Sequence, residues 1–211
     1  MSAANAQLEL FDFSAVAGVG NSNEATGVSV SGTAVVDLTL RTIKFTMNND
    51  STGSAGELTE FGFWNTPNPL GTAEIVYSGF SHTTGNNWTG PVDRINDLWD
   101  VGLTESYEGA TADNRGAGGD GIAQGNSAML TFTAMPVPNQ DLEGLVARWA
   151  ASNENTKDSN SDLRIRFQST PDDGSDKLYV NLRAVPEPST YGIIGSSALV
   201  LLIATRRFKK K

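Results

Sequence analysis

The chain has 211 residues, of which 24 are acidic and 15 basic, so its formal net charge is −9 at pH 7. Five of the bases lie in the last six residues, so ten bases stand against 24 acids in the rest of the chain; a body this acidic argues against nucleic acid and anionic lipid as partners, because like charges repel. The sequence has no cysteine and a single histidine, which excludes disulfides, thiolate metal sites and metal sites built on a pair of histidines.

The N-terminus carries one part of a secretory signal. Ala4-Asn5-Ala6 has the Ala-x-Ala pattern of a cleavage site, but the basic start and the apolar run that normally precede such a site do not appear before it. Residues 1–6 are therefore predicted to be the remnant of a signal-peptide cleavage region. The alternative is an ordinary cytoplasmic N-terminus that is rich in alanine.

Residues 7–185 are predicted to form a mainly β ectodomain, an antiparallel β-sandwich of jelly-roll type. Apolar and polar residues alternate with a period of two along most of this stretch, which is typical of strands with one buried and one solvated face. Clusters of turn-forming residues separate the strands, and no βαβ rhythm is present. The predicted strands are 8–13, 28–33, 36–40, 43–47, 58–64, 74–80, 128–134, 163–168 and 177–183.

Trp88 is the candidate for glycan contact. It lies in the segment HTTGNNWTG, whose Asn and Thr side chains could bind sugar hydroxyl groups while an exposed indole ring stacks on the sugar ring. The alternative for Trp88 is packing within a loop. Trp64 and Trp149 are predicted to lie in the core, as is more common for this large apolar side chain.

One short helix is predicted within residues 139–152. Asp141 is a suitable N-cap for it. Apolar residues recur at positions i, i+3, i+4 and i+7, namely Leu142, Leu145, Val146 and Trp149. Residues 93–99 form either a helical turn or a loop.

Three carboxylates within five residues form the candidate calcium site: Asp172, Asp173 and Asp176. Calcium binds six to eight oxygen ligands, and carboxylates are its preferred source. None of the acidic loops fits the helix-loop-helix calcium motif. Calcium is the one candidate cofactor. The alternative interpretation of these acidic residues is that they lie in solvated turns that are stabilised by Asx hydrogen bonds.

No catalytic residue is predicted. His82 is the only imidazole, and no Gly-x-Ser-x-Gly nucleophile elbow accompanies it. Glycosidase chemistry needs a pair of carboxylates, but in so acidic a chain the sequence singles out no pair. The chain is expected not to be an enzyme.

The C-terminal segment is the only long apolar stretch. Ser189 to Thr205 comprise 17 residues without a charge, and a helix of this length spans about 26 Å, the lower limit for crossing the hydrocarbon core of a bilayer. Pro186 and Pro188 keep the preceding chain extended. We therefore expect a single transmembrane helix at 189–205.

A basic tail at 206–211 follows this helix directly. Its charged residues are Arg206, Arg207, Lys209, Lys210 and Lys211. Such a cluster stays on the cytoplasmic side of an inserting segment. The predicted orientation places the tail inside the cell and the body outside it.

Pro186-Glu187-Pro188, followed by the apolar stretch and the basic tail, resembles the PEP-CTERM sorting signal of Gram-negative bacteria. The resemblance covers residues 186–211. It implies export, a transient anchor in the inner membrane, and processing by an exosortase, which is an integral membrane enzyme of bacteria that make extracellular polysaccharide. The segments GIAQGNSAMLTFT and LRIRFQSTPDDGSDKL are also similar to strands and an Asp/Gly loop of many PEP-CTERM ectodomains, and they bring no catalytic residue.

The resemblance implies a route and a processing enzyme but no activity for the body. The leading hypothesis is an exported protein of the cell surface or the extracellular matrix of a biofilm, with a structural or glycan-associated role among extracellular polysaccharides. The alternative is a secreted polysaccharide hydrolase or lyase.

Overall fold

The structure is a computed structural model that describes residues 8–17, 27–52, 56–65, 74–84, 87–93, 107–113, 121–137, 141–151, 161–168 and 175–185. The predicted cleavage remnant at 1–6 and the predicted sorting signal at 186–211 lie outside the described residues. Among the helices of the described residues, none is long and apolar enough to span a membrane.

The described residues form eleven strands and one helix. In chain order they are β1 (Leu8–Val16), β2 (Ser29–Asp37), β3 (Thr42–Asn49), β4 (Glu57–Trp64), β5 (Tyr77–His82), β6 (Trp88–Asp93), β7 (Tyr107–Ala112), β8 (Ser127–Ala134), α1 (Leu142–Ala151), β9 (Leu163–Gln168), β10 (Ser175–Val180) and β11 (Arg183–Ala184).

The strands form two sheets in which neighbouring strands are antiparallel. The first sheet has the order β11-β1-β2-β3-β8-β5, and the second has the order β10-β9-β4-β7-β6. The prediction of a mainly β, antiparallel fold with one helix is confirmed. Strands β5 and β6 lie at the edges of their sheets, and the candidate site described below lies between them.

The core lies between the two sheets. Strand β3 alternates buried and more exposed residues, as its period of two predicts. Phe45 on this strand is 0% exposed, and the centroid of its ring lies 4.6 Å from that of Phe61 and 5.1 Å from that of Phe63, both on β4 of the other sheet. The sheets are therefore joined by direct aromatic packing.

Helix α1 begins where the sequence predicts. Asp141 Oδ1 accepts a hydrogen bond of 2.7 Å from the Gly144 N–H, which satisfies one of the free donors of the first turn and confirms the N-cap. The four apolar residues of its predicted face are all buried. Trp149 lies with its ring centroid 5.8 Å from that of Phe11 on β1, so the helix adds to the core of the sandwich.

Several strand boundaries differ from the prediction, and the predicted strands 28–33 and 36–40 form the single strand β2. The predicted strand 36–40 ends at Asp37, because Asp37 Oδ1 accepts a hydrogen bond from the Leu40 N–H and Arg41 adopts a φ of 54°, which together form a turn. The last long strand covers residues 175–180 instead of 177–183. Strands β6 and β7 were not predicted at all.

Candidate functional site

The structure buries the candidate glycan contact. Trp88 is the first residue of β6, its side chain is 5% exposed, and it belongs to the hydrophobic core. An indole ring in this position has no free face for a sugar ring, so the prediction of a glycan contact at Trp88 is corrected. Trp64 and Trp149 are buried as predicted, so no tryptophan within the described residues offers an exposed stacking face.

The candidate calcium site is divided by the start of a strand. Asp176 lies within β10 and not in the preceding acidic loop as predicted, its side chain is buried, and its Oδ1 accepts a hydrogen bond of 2.7 Å from the Lys177 N–H. Asp172 and Asp173 lie outside the described residues, so calcium binding by them stays a prediction. In the described part of the chain, no group of three or more Asp, Glu, His or Cys side chains could hold a metal ion.

His82 lies at the end of β5 and is half-buried. Its ring stacks on that of Phe80, with a centroid distance of 5.7 Å, and its Nδ1 lies 2.7 Å from Thr84 Oγ1. Both contacts are local. They hold the imidazole against the end of the strand and do not connect it to an acid, as a catalytic triad would require.

A cavity of about 250 Å³ lies at the border between the two sheets, and we call it the Tyr77 cavity. It is formed where the edge strands β5 and β6 meet the end of β4 and the start of β7. Its lining residues are Asn65, Glu74, Ile75, Val76, Tyr77, Pro91 and Glu108. Four separate segments of the chain thus contribute to one small space that is lined by both polar and apolar residues.

The orientation of the Asn65 amide is fixed by its neighbours. Its Nδ2 donates a hydrogen bond of 2.8 Å to the carbonyl oxygen of Ile75, which can only accept, so the amide nitrogen must point towards Ile75. The amide oxygen is the remaining polar atom. It is buried, and it has no hydrogen-bond partner within the described part of the structure.

Tyr77 and Glu108 place a phenol and a carboxylate at the same cavity. Glu108 lies opposite Phe63 of β4, whose ring is in the core, so its side chain lies on the core side of the sheet. It is 6% exposed and Tyr77 is 7% exposed. The Tyr77 hydroxyl is a second buried polar group without a hydrogen-bond partner in the described residues.

Burial raises the pKa of Tyr77 well above its usual value of 10.0. The negative charge of Glu108 raises this pKa further, and the positive charge of Arg41 opposes the shift. The phenol consequently stays protonated in the folded protein.

The raised pKa predicts a loss of stability at alkaline pH. An unfolded tyrosine ionises near pH 10, whereas Tyr77 in the folded state keeps its proton, so its contribution is complete below about pH 10 and is lost as the pH rises above that value. Tyr77→Phe should remove this dependence. In urea unfolding between pH 8 and pH 11, the free energy of unfolding of the wild type should fall more steeply than that of Tyr77→Phe, by up to about 1.4 kcal/mol per pH unit. Parallel curves for the two proteins would contradict a raised pKa at Tyr77.

A second cavity of about 320 Å³ lies where β5 ends and β8 begins. It is lined by Thr83 and Thr84 after β5 and by residues 121–123 and 125–127 before and at the start of β8. The lining contains no charged side chain. Its hydroxyl and backbone groups could hold water, but they present no group that would select a ligand.

Sequence reasoning did not find the residues of the Tyr77 cavity. Glu74 and Tyr77 lie in a predicted strand, and Glu108 lies among small residues that were not assigned to a strand. The one available signal in the sequence was the acidic residue Glu108 between apolar and small neighbours, because a carboxylate is unusual in a buried strand. Two carboxylates at one cavity are also what a polysaccharide hydrolase or lyase, the alternative function, would require.

Comparisons with known proteins identified no relative of this chain. The sequence matches no protein-family model, no curated protein and no solved structure.

Proposed function

We propose that this chain is an exported, non-enzymatic protein that reaches a polysaccharide-rich bacterial surface through its C-terminal sorting signal. In this proposal the segment 189–205 anchors the chain in the inner membrane and an exosortase processes it at the Pro186-Glu187-Pro188 element. The β-sandwich is then a structural or glycan-associated component of the cell surface or extracellular matrix. The observation that carries the proposal is the order of these elements with the basic tail in the last 26 residues.

The position of the sorting signal relative to the folded body supports the proposal. Strand β11 pairs with β1 at the edge of the first sheet, and the Val185 N–H donates a hydrogen bond of 2.8 Å to the Leu10 carbonyl oxygen. Pro186 is the next residue. All eleven strands of the described residues therefore precede the motif, and processing there would leave both sheets complete.

The two prolines are expected to be necessary for processing. Each fixes its own φ and disfavours helix in the residue before it, so together they keep an extended segment available to an enzyme at the membrane surface. The variant that combines Pro186→Ala with Pro188→Ala should accumulate as an unprocessed form in the inner membrane of a bacterium that contains an exosortase. Cell fractionation followed by immunoblotting against the ectodomain would measure this.

Pro136→Ala is the matched control, because Pro136 is an exposed residue of the folded body and lies far from the motif in sequence. It should be processed and released like the wild type. Normal maturation of the double variant would refute the sorting assignment. Retention of both the double variant and the control would indicate a folding defect and would also remove the support for a specific role of the motif.

A further inference from the structure

We propose that one end of the β-sandwich rests on the membrane surface while the chain is anchored there, and that exposed apolar side chains at this end contact zwitterionic phospholipids. The contact requires the anchor at 189–205, and the inference therefore rests on the proposed function. Three observations carry it: where the exposed apolar side chains lie, where the folded body ends, and how polar the opposite end of the same sheet is.

The exposed apolar side chains are concentrated at one end of the first sheet. Among the described residues, seven large apolar side chains are exposed. Six of them define the surface that we call the apolar end: Leu8, Leu10, Leu40, Val76, Met135 and Val137. Single exposed apolar residues are normal on soluble proteins, whereas a concentration of them indicates a contact with another protein or a membrane.

Leu8, Leu10 and Leu40 lie beside the turn that joins β2 to β3. Leu8, the first residue of β1, is paired with Asp37, the last residue of β2. Asp37 Oδ1 accepts the hydrogen bond from the Leu40 N–H within the turn. Leu10 lies two residues further along β1 and is exposed like Leu8, so both side chains lie on the outer face of the sheet.

Met135, Val137 and Val76 are joined to the same turn by hydrogen bonds. The Arg41 guanidinium of the turn donates a hydrogen bond of 3.0 Å to the Met135 carbonyl oxygen, which follows β8. The Met135 N–H donates one of 2.8 Å to the carbonyl oxygen of Val76, just before β5, and the Val137 N–H donates one of 2.9 Å to the Met135 carbonyl oxygen. The six apolar residues therefore belong to one end of the sheet.

The folded body ends at the apolar end. Strand β11 runs antiparallel to β1, and the Val185 N–H donates its hydrogen bond to the Leu10 carbonyl oxygen, so the chain is heading towards Leu8 when the body ends. Leu8 lies about 7 Å beyond Leu10 along the strand. Residues 186–188 span at most about 11 Å when fully extended. The anchor at 189–205 consequently begins within reach of the apolar end.

The opposite end of the same sheet is polar. Among the described residues, Val16 is the one large apolar side chain that is exposed there. The other exposed side chains around it are polar, namely Asp50, Thr52, Gln124, Asn126 and Ser127. The sheet is therefore asymmetric along its strands, and its apolar end is the one that lies next to the anchor.

The anchor makes a modest contact sufficient. Apolar side chains gain free energy when they leave water at the boundary between lipid headgroups and acyl chains. Because the anchor is linked to the apolar end by only a few residues, this contact is intramolecular and forms at a high effective concentration. Asp37 and Arg41 carry opposite charges in the turn, which suits a zwitterionic headgroup, whereas the acidic body as a whole disfavours an anionic surface.

Fluorescence quenching of the full chain in phosphatidylcholine vesicles tests the proposal. Because the sequence has no cysteine, one introduced cysteine carries a single environment-sensitive fluorophore. Leu40→Cys places it at the apolar end, Ser127→Cys at the opposite end of the sheet and Ile194→Cys within the anchor. A nitroxide near the top of the lipid acyl chains should quench most of the fluorescence of the labels at Leu40 and Ile194, and their emission should move to shorter wavelength. The label at Ser127 should stay unquenched.

A matched pair of variants tests whether apolar side chains hold this contact. Met135→Ser combined with Val137→Ser removes two exposed apolar side chains from the apolar end, so it should reduce the quenching of the label at Leu40. Val16→Ser removes an equally exposed apolar side chain from the opposite end and should leave that quenching unchanged. Equal quenching in both variants would overturn the role of the apolar end.

Failure of the contact and failure of the proposed function give different results. A quenched label at Ile194 with an unquenched label at Leu40, or equal quenching at Leu40 and Ser127, would overturn the contact and leave the anchor in place. An unquenched label at Ile194 would refute the anchor and the contact together. Emission at shorter wavelength without quenching at Leu40 would mean that protein, from a second copy or from the C-terminal segment, covers the apolar end in place of lipid.

Discussion

Phe45→Ala should lower the free energy of unfolding by about 3–5 kcal/mol, the range for removing a phenylalanine from a packed core. Phe45 is completely buried and contacts aromatic rings from three directions: Phe61 and Phe63 on the opposite sheet, Phe132 on the neighbouring strand and Trp149 on α1. Rings that belong to both sheets and to the helix cannot all move in to fill the space. Because domains of this kind are stable by only about 5–15 kcal/mol, the variant should lose a large part of its stability.

Leu40→Ala is the control for this prediction. Leu40 is also a large apolar residue, but it lies in the turn between β2 and β3 and is 68% exposed. Its replacement should change the free energy of unfolding by no more than about 0.5 kcal/mol. Urea unfolding of the wild type and both variants under one set of conditions provides the comparison. A loss of less than about 1 kcal/mol for Phe45→Ala would contradict a core in which this ring joins the two sheets.

Four of the predicted strands could be recognised because their own side chains alternate, whereas β4 was predicted from its apolar character and is buried at all but one position. In β1, β2, β3 and β8 the buried residues fall at every second position, so the period of two is visible without the rest of the fold. Helix α1 was predictable for a similar reason, because its N-cap and its apolar face are both visible within one short stretch of sequence.

Strands β6 and β7 could not be predicted because their structure depends on their neighbours. β7 is composed mainly of small residues with little preference for strands, and it is buried at every position because it lies between β4 and β6. β6 contains Gly90 and Pro91, which usually indicate a turn. The pairing with β7 shifts register between Thr89 and Val92, so the proline lies at an irregular position of an edge strand, where its missing N–H is tolerated.

The Tyr77 cavity was hidden from the sequence for the same physical reason. Asn65 follows β4, Glu74 and Tyr77 surround the start of β5, and Glu108 lies on β7; only the packing of β5 and β6 brings these residues together. The burial of Trp88 depends on the same packing, because this indole lies on β6 and joins the core only once β6 has been added to the sheet. A polar sequence around a tryptophan therefore did not indicate an exposed ring.

Gly32→Ala should also be strongly destabilising, although it adds only one methyl group. Gly32 lies on β2 between β1 and β3, and it is directly opposite Phe13 of β1. A Cβ atom at this position would overlap the backbone carbonyl oxygen of Thr46 on β3 and would lie 2.5 Å from Phe13 Cζ. The carbonyl belongs to the neighbouring strand and cannot move without disturbing the ladder. Overpacking of this kind typically costs about 1–3 kcal/mol, and a clash with backbone places Gly32→Ala at or above the upper end of that range.

Gly79→Ala separates this steric effect from the general effect of replacing a glycine. Gly79 is also a strand residue, on edge strand β5, but a Cβ atom there would meet only the Thr133 side chain, at ordinary contact distances of 3.5 Å to Cβ and 3.6 Å to Oγ1. Since alanine restricts the unfolded chain more than glycine does, this variant should be neutral or more stable by up to about 1 kcal/mol. Thermal unfolding measures both effects. The melting temperature of Gly32→Ala should be lower than that of the wild type, whereas the melting temperature of Gly79→Ala should be unchanged or higher. Equal losses in the two variants would mean that the close approach of β3 and Phe13 to Gly32 is not what requires glycine at this position.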